Sequence, residues 1–288
     1  MNRRLTYVLV TPARDEAAYL ERTVESIADQ AVRPRRWVIV SDGSTDGTPG
    51  IVERYRKRHD WIDLVCLPAR RERHFAGKVA AFDAGYATMK GLEHDLVGNV
   101  DADTSFEPDY FEFLLGKFAE DPGLGVAGTP FREGDRSWNF RFSSDEHVSG
   151  GCQVFRRECF EAIGGYLPLD GGTDLVAALT ARMKGWRTRS FVERTYVHHR
   201  PMGSARHGTI GAKFKLGMQD YALGGHPLWQ VARSVYQMTR PPLMVGGSML
   251  LGGYLWATLR RMQRPVSREL VEFYRREQMR RLRRLIAG

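Results

Sequence analysis

The sequence lacks the features that mark disulfide-rich, secreted and cysteine-ligated metal proteins. It has three cysteines among 288 residues (Cys66, Cys152 and Cys159), an odd number without metal-ligand spacing, which favours a reducing compartment. The apolar stretch at residues 5–11 is too short for the hydrophobic part of a signal peptide and is followed by polar residues. We therefore expect a cytoplasmic protein, long enough for one large α/β domain or two smaller units.

Two common phosphate-binding loops are also missing. A Gly-x-Gly-x-x-Gly segment after the first strand would indicate a dinucleotide-binding fold, and Gly-Lys-Ser/Thr at that place would indicate a P-loop. The first predicted strand is instead followed by Pro12-Ala13-Arg14-Asp15-Glu16. Any phosphate group must therefore be bound in another way.

The net charge of +9 comes mostly from the C-terminal end of the chain. From residue 260 to residue 288 there are ten Arg and three Glu, a charge of +7, which leaves +2 for the rest. Residues 241–259 carry no charge, but the run is borderline for the ~20 apolar residues that cross a bilayer, and its glycines weaken it as a helix. Residues 267–286 are predicted to form a basic amphipathic helix. These features favour contact with an anionic membrane surface over packing within the protein or dimerisation, and over nucleic-acid binding.

Strand and helix patterns alternate along the first hundred residues. The predicted elements, in chain order, are strand 5–11, helix 17–30, strand 37–40, helix 49–59, strand 62–67, helix 77–91 and strand 96–100. This alternation predicts a mostly parallel sheet flanked by helices, with right-handed crossovers.

Asp101-Ala102-Asp103 directly follows the fourth predicted strand. In a parallel α/β sheet, ligands bind beyond the carboxyl ends of the strands, and Mg²⁺ prefers one or two carboxylates together with substrate phosphate oxygens. The two aspartates therefore predict a site for a metal-bound diphosphate. The alternative is structural: Asp101 would close the strand end, and Asp103 would cap the next segment.

Four motifs occur in a fixed order, and each alone is weak. They are Val10-Thr11-Pro12-Ala13-Arg14-Asp15-Glu16, Val40-Ser41-Asp42-Gly43-Ser44-Thr45-Asp46-Gly47-Thr48, Gly77-Lys78-x-x-Ala81 and Asp101-Ala102-Asp103. Together they resemble the signatures of the family 2 inverting glycosyltransferases, over residues 5–200. The resemblance implies a GT-A type α/β fold, with a mostly parallel Rossmann-like sheet flanked by helices and a helical C-terminal extension.

The resemblance also implies which residues bind the nucleotide-sugar donor. Asp42 would accept a hydrogen bond from the base, although Asp42 to Asp46 could be only a turn and a helix cap. Lys78 would lie near the donor, although it could be only a solvated lysine. The residues implied to bind nucleotide or donor are Thr11, Pro12, Ala13, Glu16, Asp42, Lys78, Asp101, Arg200 and Arg206.

By the same resemblance, Asp103 would be the direct ligand of Mg²⁺ or Mn²⁺, and His198 or His199 a further ligand. Adjacent side chains of an extended chain point to opposite faces, so only one of the two histidines can reach the ion. Arg200 and Arg206 flank residues 201–205, which form either a loop that closes over the diphosphate or a linker.

Asp174 takes the family's general-base position, because Gly185-Trp186 follows it at the family's spacing. Thr173 stands where the family has Glu, which is a departure from the pattern. Asp174 could instead only cap its helix, and Asp170 is the second candidate for the base. The Gln-x-x-Arg-Trp motif of processive polysaccharide synthases is missing, which favours the addition of a single sugar per encounter.

The sequence thus predicts a nucleotide-sugar-binding half at residues 1–105, an acceptor-binding half at residues 106–210 and a helical, basic region at residues 211–288. The predicted activity is metal-dependent transfer of a sugar from a UDP-sugar to a hydroxyl of a glycan or lipid-linked glycan, at the inner face of the cell membrane, in cell-surface glycan synthesis. One alternative is a polyprenyl-phosphate sugar synthase, whose ionised acceptor needs no carboxylate base. The other is a non-catalytic binding protein with the same fold and a basic partner-binding tail.

Overall fold

A computed structural model describes residues 4–69, 75–134, 136–137, 144–200 and 209–287. Contacts between residues divide the chain into two units, Met1–Arg200 and Pro201–Gly288. The described strands all lie in the first unit, and the described part of the second unit is helical.

The first unit alternates strands and helices as the sequence predicts. Its strands are β1 (Tyr7–Ala13), β2 (Arg36–Asp42), β3 (Ile62–Leu67), β4 (Leu96–Val100), β5 (Thr104–Ser105), β6 (Leu124–Gly128), β7 (Phe131–Glu133), β8 (Arg136–Ser137), β9 (Cys152–Arg156), β10 (Arg187–Ser190) and β11 (Tyr196–His198). Its helices are α1 (Leu20–Ala28), α2 (Thr48–Arg56), α3 (Phe75–Ala87), α4 (Tyr110–Glu120), α5 (Arg157–Ile163) and α6 (Thr173–Met183). Helix α1 begins at Leu20, later than predicted, after a turn in which the N–H of Tyr19 donates to the carbonyl of Glu16 at 3.0 Å.

The main sheet has seven strands in the order β10-β6-β9-β4-β1-β2-β3. All neighbours run parallel except β9, which is antiparallel to both β4 and β6. The predicted mostly parallel sheet is therefore confirmed. The antiparallel strand brings its N-terminal end to the edge where β1, β2 and β4 end.

Both faces of the main sheet are covered by helices. Along β1, Tyr7 and Leu9 belong to one buried cluster and Val8 and Val10 to the other. Helices α1, α2 and α4 contribute to the first cluster, and α3, α5 and α6 to the second. Strands buried on both faces have continuous apolar sequences rather than alternating ones, which explains the runs by which they were predicted.

A smaller sheet, in the order β5-β11-β7-β8, lies beyond the end of β4 in the chain. Strand β11 pairs antiparallel with β5, and His198 faces Thr104 in this pairing. This pairing joins β11 to the residues that follow Asp101, although the two segments are distant in the sequence.

The second unit contains four helices among its described residues: α7 (Thr209–Ala222), α8 (Pro227–Met238), α9 (Val245–Leu259) and α10 (Arg268–Ala287). Helix α9 packs closely against α7 at Gly253 and against α8 at Gly247, where a Cβ atom would meet the backbone of the neighbouring helix. Asp220, which is buried, and Arg233, which is half-buried, join α7 to α8 through an ion pair of 2.6 Å. The described helices of both units are each too short or too polar to span a bilayer.

Part of the apolar side of the last helix is covered within the second unit. Leu270, Val271 and Tyr274 of α10 are buried, and the helix contacts α8. The predicted helix is thus confirmed, and these three side chains are used for intramolecular packing.

Candidate functional site

Three potential metal ligands meet where β4, β5 and β11 come together. Asp101 follows β4, Asp103 precedes β5 and His198 ends β11, and one ligand atom from each lies within 4.8 Å of the others. Nε2 of His198 is 3.6 Å from Oδ1 of Asp103. Two carboxylates provide the oxygen ligands that Mg²⁺ and Mn²⁺ prefer, so these residues fit a divalent cation.

Backbone hydrogen bonds position this cluster. The N–H of Asp101 donates to the carbonyl of Gly151 at 2.9 Å, and the hydroxyl of Thr104 donates to the carbonyl of Asp101 at 2.8 Å. The N–H of His199 donates to the carbonyl of Asp103 at 2.8 Å. The carboxylates and the imidazole are therefore held by strand pairing rather than by a mobile loop.

The two adjacent histidines have different surroundings. Nδ1 of His198 lies 2.5 Å from the carbonyl of Arg200, which leaves Nε2 directed at Asp103. A metal-bound histidine commonly donates its other ring N–H to a backbone carbonyl in this way. Nε2 of His199 is instead 2.9 Å from the hydroxyl of Ser105. The structure thus brings His198, and not His199, to the two aspartates.

Two basic side chains approach the cluster. Nζ of Lys78 is 2.5 Å from Oδ1 of Asp101. Nη2 of Arg200 is 2.5 Å from Oε2 of Glu16, and Nε of Arg200 is 3.9 Å from Oδ2 of Asp103. Both basic side chains lie near carboxylates of this site and balance their negative charge in this structure.

Burial and neighbouring charges shift the pKa of Asp103 and of Lys78. Burial, and then the charge of Asp101, raise the pKa of Asp103, although His198 and Arg200 oppose the shift. Burial opposes the charged form of Lys78, but the negative charges of Asp101, Asp174 and Asp103 outweigh it and raise the pKa of Lys78. Lys78 therefore lies within the electrostatic reach of both the proposed metal ligands and the proposed base.

Asp174 lies in the first turn of α6, and its side chain reaches across to the segment before β9. Oδ2 of Asp174 accepts a hydrogen bond from the N–H of Gly150 at 3.1 Å. A Cβ atom on Gly150 would lie 3.0 Å from Cβ of Asp174, so glycine permits this close approach. A side chain that caps a helix accepts a hydrogen bond from an N–H group of its own helix. The described hydrogen bond of the Asp174 carboxylate comes instead from Gly150, which is distant in the sequence.

Sequence reasoning missed two residues that support Asp174. Nε2 of Gln153 donates to the backbone carbonyl of Asp174 at 3.2 Å, and the hydroxyl of Tyr166 donates to Oε1 of Gln153 at 2.9 Å. Gln153 is fully buried in β9. A glutamine within the otherwise apolar run Cys152 to Phe155 was the available signal, because buried amides require hydrogen-bond partners.

We expect Tyr166→Phe to lower kcat about tenfold without weakening nucleotide binding, because Gln153 would lose the donor that orients it towards Asp174. Stability should fall by only about 1 kcal/mol, the usual cost of one hydrogen bond. Steady-state kinetics, nucleotide titration and thermal unfolding measure the three quantities. Tyr110→Phe is the matched control, since its hydroxyl contacts Thr129 and not the Gln153 network. An equal fall in kcat in both variants would contradict a positioning role for Tyr166.

The residues predicted to surround the nucleoside are at the ends of β1 and β2. Thr11 is fully buried and its hydroxyl accepts from the indole N–H of Trp37 at 2.9 Å, so its side chain is used within the fold. Asp42 and Ala13 are also buried, and Pro12 is half-buried. The predicted donor residue Arg206 lies outside the described residues, and Asp170, the second candidate base, is exposed.

Asp46 and Thr48 join the loops that follow β1 and β2. Asp46 accepts hydrogen bonds from the N–H groups of Ala17 at 3.0 Å and Thr48 at 2.9 Å. The hydroxyl of Thr48 accepts from the N–H of Glu16 at 2.8 Å. Burial raises the pKa of Asp46, but these hydrogen bonds outweigh it and lower the pKa. This part of the second motif is therefore structural and holds Glu16 in place.

A family model described as "Glycosyl transferase family 2" matches residues 8–164. The chain is also similar to poly-β-1,6-N-acetyl-D-glucosamine synthase of Staphylococcus aureus, with 29% identity over 117 residues, or 40% of this chain and 26% of that protein. It is 28% identical over 132 residues to hyaluronan synthase of Pasteurella multocida, covering 46% of this chain and 13% of that protein. The chain thus spans about a quarter or less of the length of these curated relatives.

Solved structures share the fold at low sequence identity. A mannosyltransferase from Pyrobaculum calidifontis, in complex with GDP-Man and Mn²⁺, has a TM-score of 0.64 and 18% identity, over 90% of this chain and 89% of that chain. S. aureus TarS 1–349 in complex with UDP-GlcNAc has a TM-score of 0.57 and 15% identity, over 94% of this chain and 78% of that chain. These likenesses confirm the GT-A type α/β architecture.

Proposed function

This chain belongs to glycosyltransferase family 2, and we propose that it is a metal-dependent inverting enzyme that transfers a sugar from a UDP-sugar to a hydroxyl group. The observation that carries the proposal is the meeting of Asp101, Asp103 and His198 at the end of the sheet. The acceptor we propose is a glycan or lipid-linked glycan, used at the inner face of the cell membrane. One sugar would be added per encounter.

The comparisons support a nucleotide donor and favour uridine. The TarS structures of S. aureus contain UDP-GlcNAc in one case and UDP in another, whereas the P. calidifontis enzyme contains GDP-Man with Mn²⁺. The curated relatives are named as synthases of N-acetylglucosamine polymers, chondroitin and hyaluronan. We therefore infer a UDP-sugar, with Mg²⁺ or Mn²⁺ as the cofactor.

Asp101, Asp103 and His198 would hold the cation. Such a cation supplies positive charge that stabilises the negative charge developing on the diphosphate as it leaves. Lys78 and Arg200 would contact the same diphosphate oxygens, since each already lies against a carboxylate of the cluster. In a partly desolvated site, these charges act more strongly than they would in water.

Asp174 would act on the acceptor as the general base. Its carboxylate takes the proton of the acceptor hydroxyl while the acceptor oxygen attacks the anomeric carbon. The bond from that carbon to the diphosphate oxygen breaks on the opposite side, and the nucleoside diphosphate leaves with the bonding electrons. Attack from the side opposite to the leaving group inverts the anomeric configuration.

Titration calorimetry with UDP tests the proposal. We expect UDP to bind in the presence of Mn²⁺ and to bind at least about tenfold more weakly with EDTA, because the cation offsets the repulsion between carboxylates and phosphates. GDP titrated under the same conditions is the comparison. Tighter binding of GDP than of UDP would overturn the choice of uridine alone, whereas the absence of metal-dependent binding with either nucleotide would overturn the proposed function.

A further inference from the structure

Helix α9 is uncharged and mainly apolar, and it is covered on only one side. Its buried residues, among them Gly247, Leu250 and Gly253, pack against α7 and α8. The opposite side exposes Val245, Leu255, Trp256 and Leu259, the last at 80%. A helix that is hydrophobic all round is normally buried all round. The exposed side of α9 therefore suits a contact with lipid or with an apolar protein surface.

Helix α8 packs against α9 and also exposes apolar side chains. The two helices run antiparallel, since a Cβ on Gly247 would meet the carbonyl of Ser234, and Nε2 of Gln230 donates to the carbonyl of Leu250 at 3.4 Å. Residues of α8 at helical spacing, and the connection to α9, expose further apolar side chains. We define the outer face as Leu228, Val231, Val235, Leu243, Met244, Val245, Leu255, Trp256 and Leu259. Nine exposed apolar residues on one helix pair and its connection are more than scattered surface hydrophobicity.

The charged residues in the segment that carries the outer face have one sign. From residue 221 to residue 268 the sequence has six arginines and no Asp or Glu. Arg233 is used in the ion pair with Asp220, while Arg240, Arg260 and Arg261 are exposed near the ends of α8 and α9. The guanidinium of Arg260 lies 4.6 Å from the ring centre of Trp256. Tryptophan and arginine beside an apolar surface are typical of the boundary between lipid headgroups and acyl chains.

We propose that the outer face binds the surface of an anionic lipid bilayer, with its apolar side chains in the boundary region and the arginines among lipid phosphates. The described helices do not span a bilayer, so the second unit would lie on the membrane through this face. A second copy of the chain is the less favourable occupant. If the outer faces of two copies met, their arginines would lie close together. Residues 221–268 contain no Asp or Glu that could pair with these arginines.

This surface goes beyond the proposed reaction and is tested without donor or acceptor. The full chain is incubated with vesicles of phosphatidylcholine alone, or of phosphatidylcholine with phosphatidylglycerol, and the bound fraction is measured by flotation. We expect binding to the anionic vesicles that weakens at high salt, because exposed charges are screened. Leu255→Ser with Leu259→Ser should reduce the partition coefficient for vesicles at least about tenfold. In the unsubstituted protein both leucine side chains would move from water into the boundary region of the membrane, and serine loses this gain.

Two matched controls locate the contact. Val192→Ser removes an apolar side chain that is 63% exposed in the first unit, and it should leave vesicle binding unchanged. Arg260→Gln with Arg261→Gln should weaken binding to anionic vesicles, whereas Arg283→Gln with Arg284→Gln, on α10, should weaken it less. Circular dichroism and metal-dependent UDP binding establish that each variant is folded.

Three results would overturn the proposal. The unsubstituted, folded protein could fail to bind anionic vesicles while it still binds UDP, which would leave the proposed enzyme function intact. The α10 variant could lose as much binding as the Arg260 and Arg261 variant, which would move the contact to α10. Light scattering could show a dimer that Leu255→Ser with Leu259→Ser converts to a monomer, which would make the outer face an interface between copies.

Discussion

Replacing Asp174 by Asn is expected to lower kcat about a thousandfold while UDP binding stays unchanged. General-base catalysis contributes about 10²–10⁴-fold, and asparagine cannot take a proton from the acceptor hydroxyl. The amide oxygen of Asn can still accept the hydrogen bond that Oδ2 of Asp174 accepts from Gly150 at 3.1 Å, so the local structure should be kept. Kinetics of UDP release from UDP-N-acetylglucosamine, or from whichever UDP-sugar the unsubstituted protein turns over, measure the effect.

Asp170→Asn is the matched control for this experiment. Asp170 lies four residues earlier and is exposed, so its substitution should change kcat little. If Asp174→Asn retained nearly full turnover, Asp174 would not deprotonate the acceptor. A phosphate acceptor, which is already ionised and needs no base, would then be favoured, as in polyprenyl-phosphate sugar synthases. A loss in the Asp170 variant alone would transfer the base to Asp170.

Replacing Asp103 by Asn is expected to abolish the strengthening of UDP binding by Mn²⁺ and to lower kcat by at least about a thousandfold. The substitution preserves the shape of the side chain but removes a negative charge from a cluster whose other members lie within 4.8 Å. A bound cation supplies several kcal/mol of charge stabilisation in the transition state, and each ~1.4 kcal/mol lost is a factor of ten in rate. Calorimetry with and without EDTA gives the metal dependence directly.

Asp109→Asn provides the control, because Asp109 pairs with Arg194 at 2.8 Å on the surface, outside the metal cluster. We expect this variant to retain metal-dependent binding. Preserved metal dependence in the Asp103 variant would show that the cation is held elsewhere, and the role proposed for Asp101 and His198 would fail with it. A general loss of folding in the Asp103 variant, detected by circular dichroism, would call for Asp103→Glu as the conservative replacement.

Much of the fold could be predicted because its signals are local. Buried strands of a parallel sheet appear as continuous apolar runs, as in Trp37 to Val40, and the helices between them repeat apolar residues at helical spacing. The same locality applies to Asp101 and Asp103, which are two residues apart and follow a strand. Their position at the carboxyl end of the sheet follows from the strand itself.

The remaining site residues depend on contacts between distant segments. The alternation of side chains required that only one of His198 and His199 reach the aspartates, but the pairing of His198 with Thr104 decided which one. In the same way, Asp174 is held by Gly150, and its support by Gln153 depends on the antiparallel insertion of β9 between β4 and β6. The periodicity of a sequence does not specify the register between strands that are distant along the chain.

The order of the motifs, the parallel sheet and the two carboxylates after the fourth strand were determined by the sequence alone, because each depends on neighbouring residues. Tertiary structure decided which histidine joins them, what supports Asp174, and which apolar helix faces are covered. In α10, Leu270 and Tyr274 became buried, whereas Leu255 and Leu259 of α9 stayed exposed. Hydrophobic spacing shows that a helix has an apolar side, but only the packing of the other helices determines whether that side meets protein.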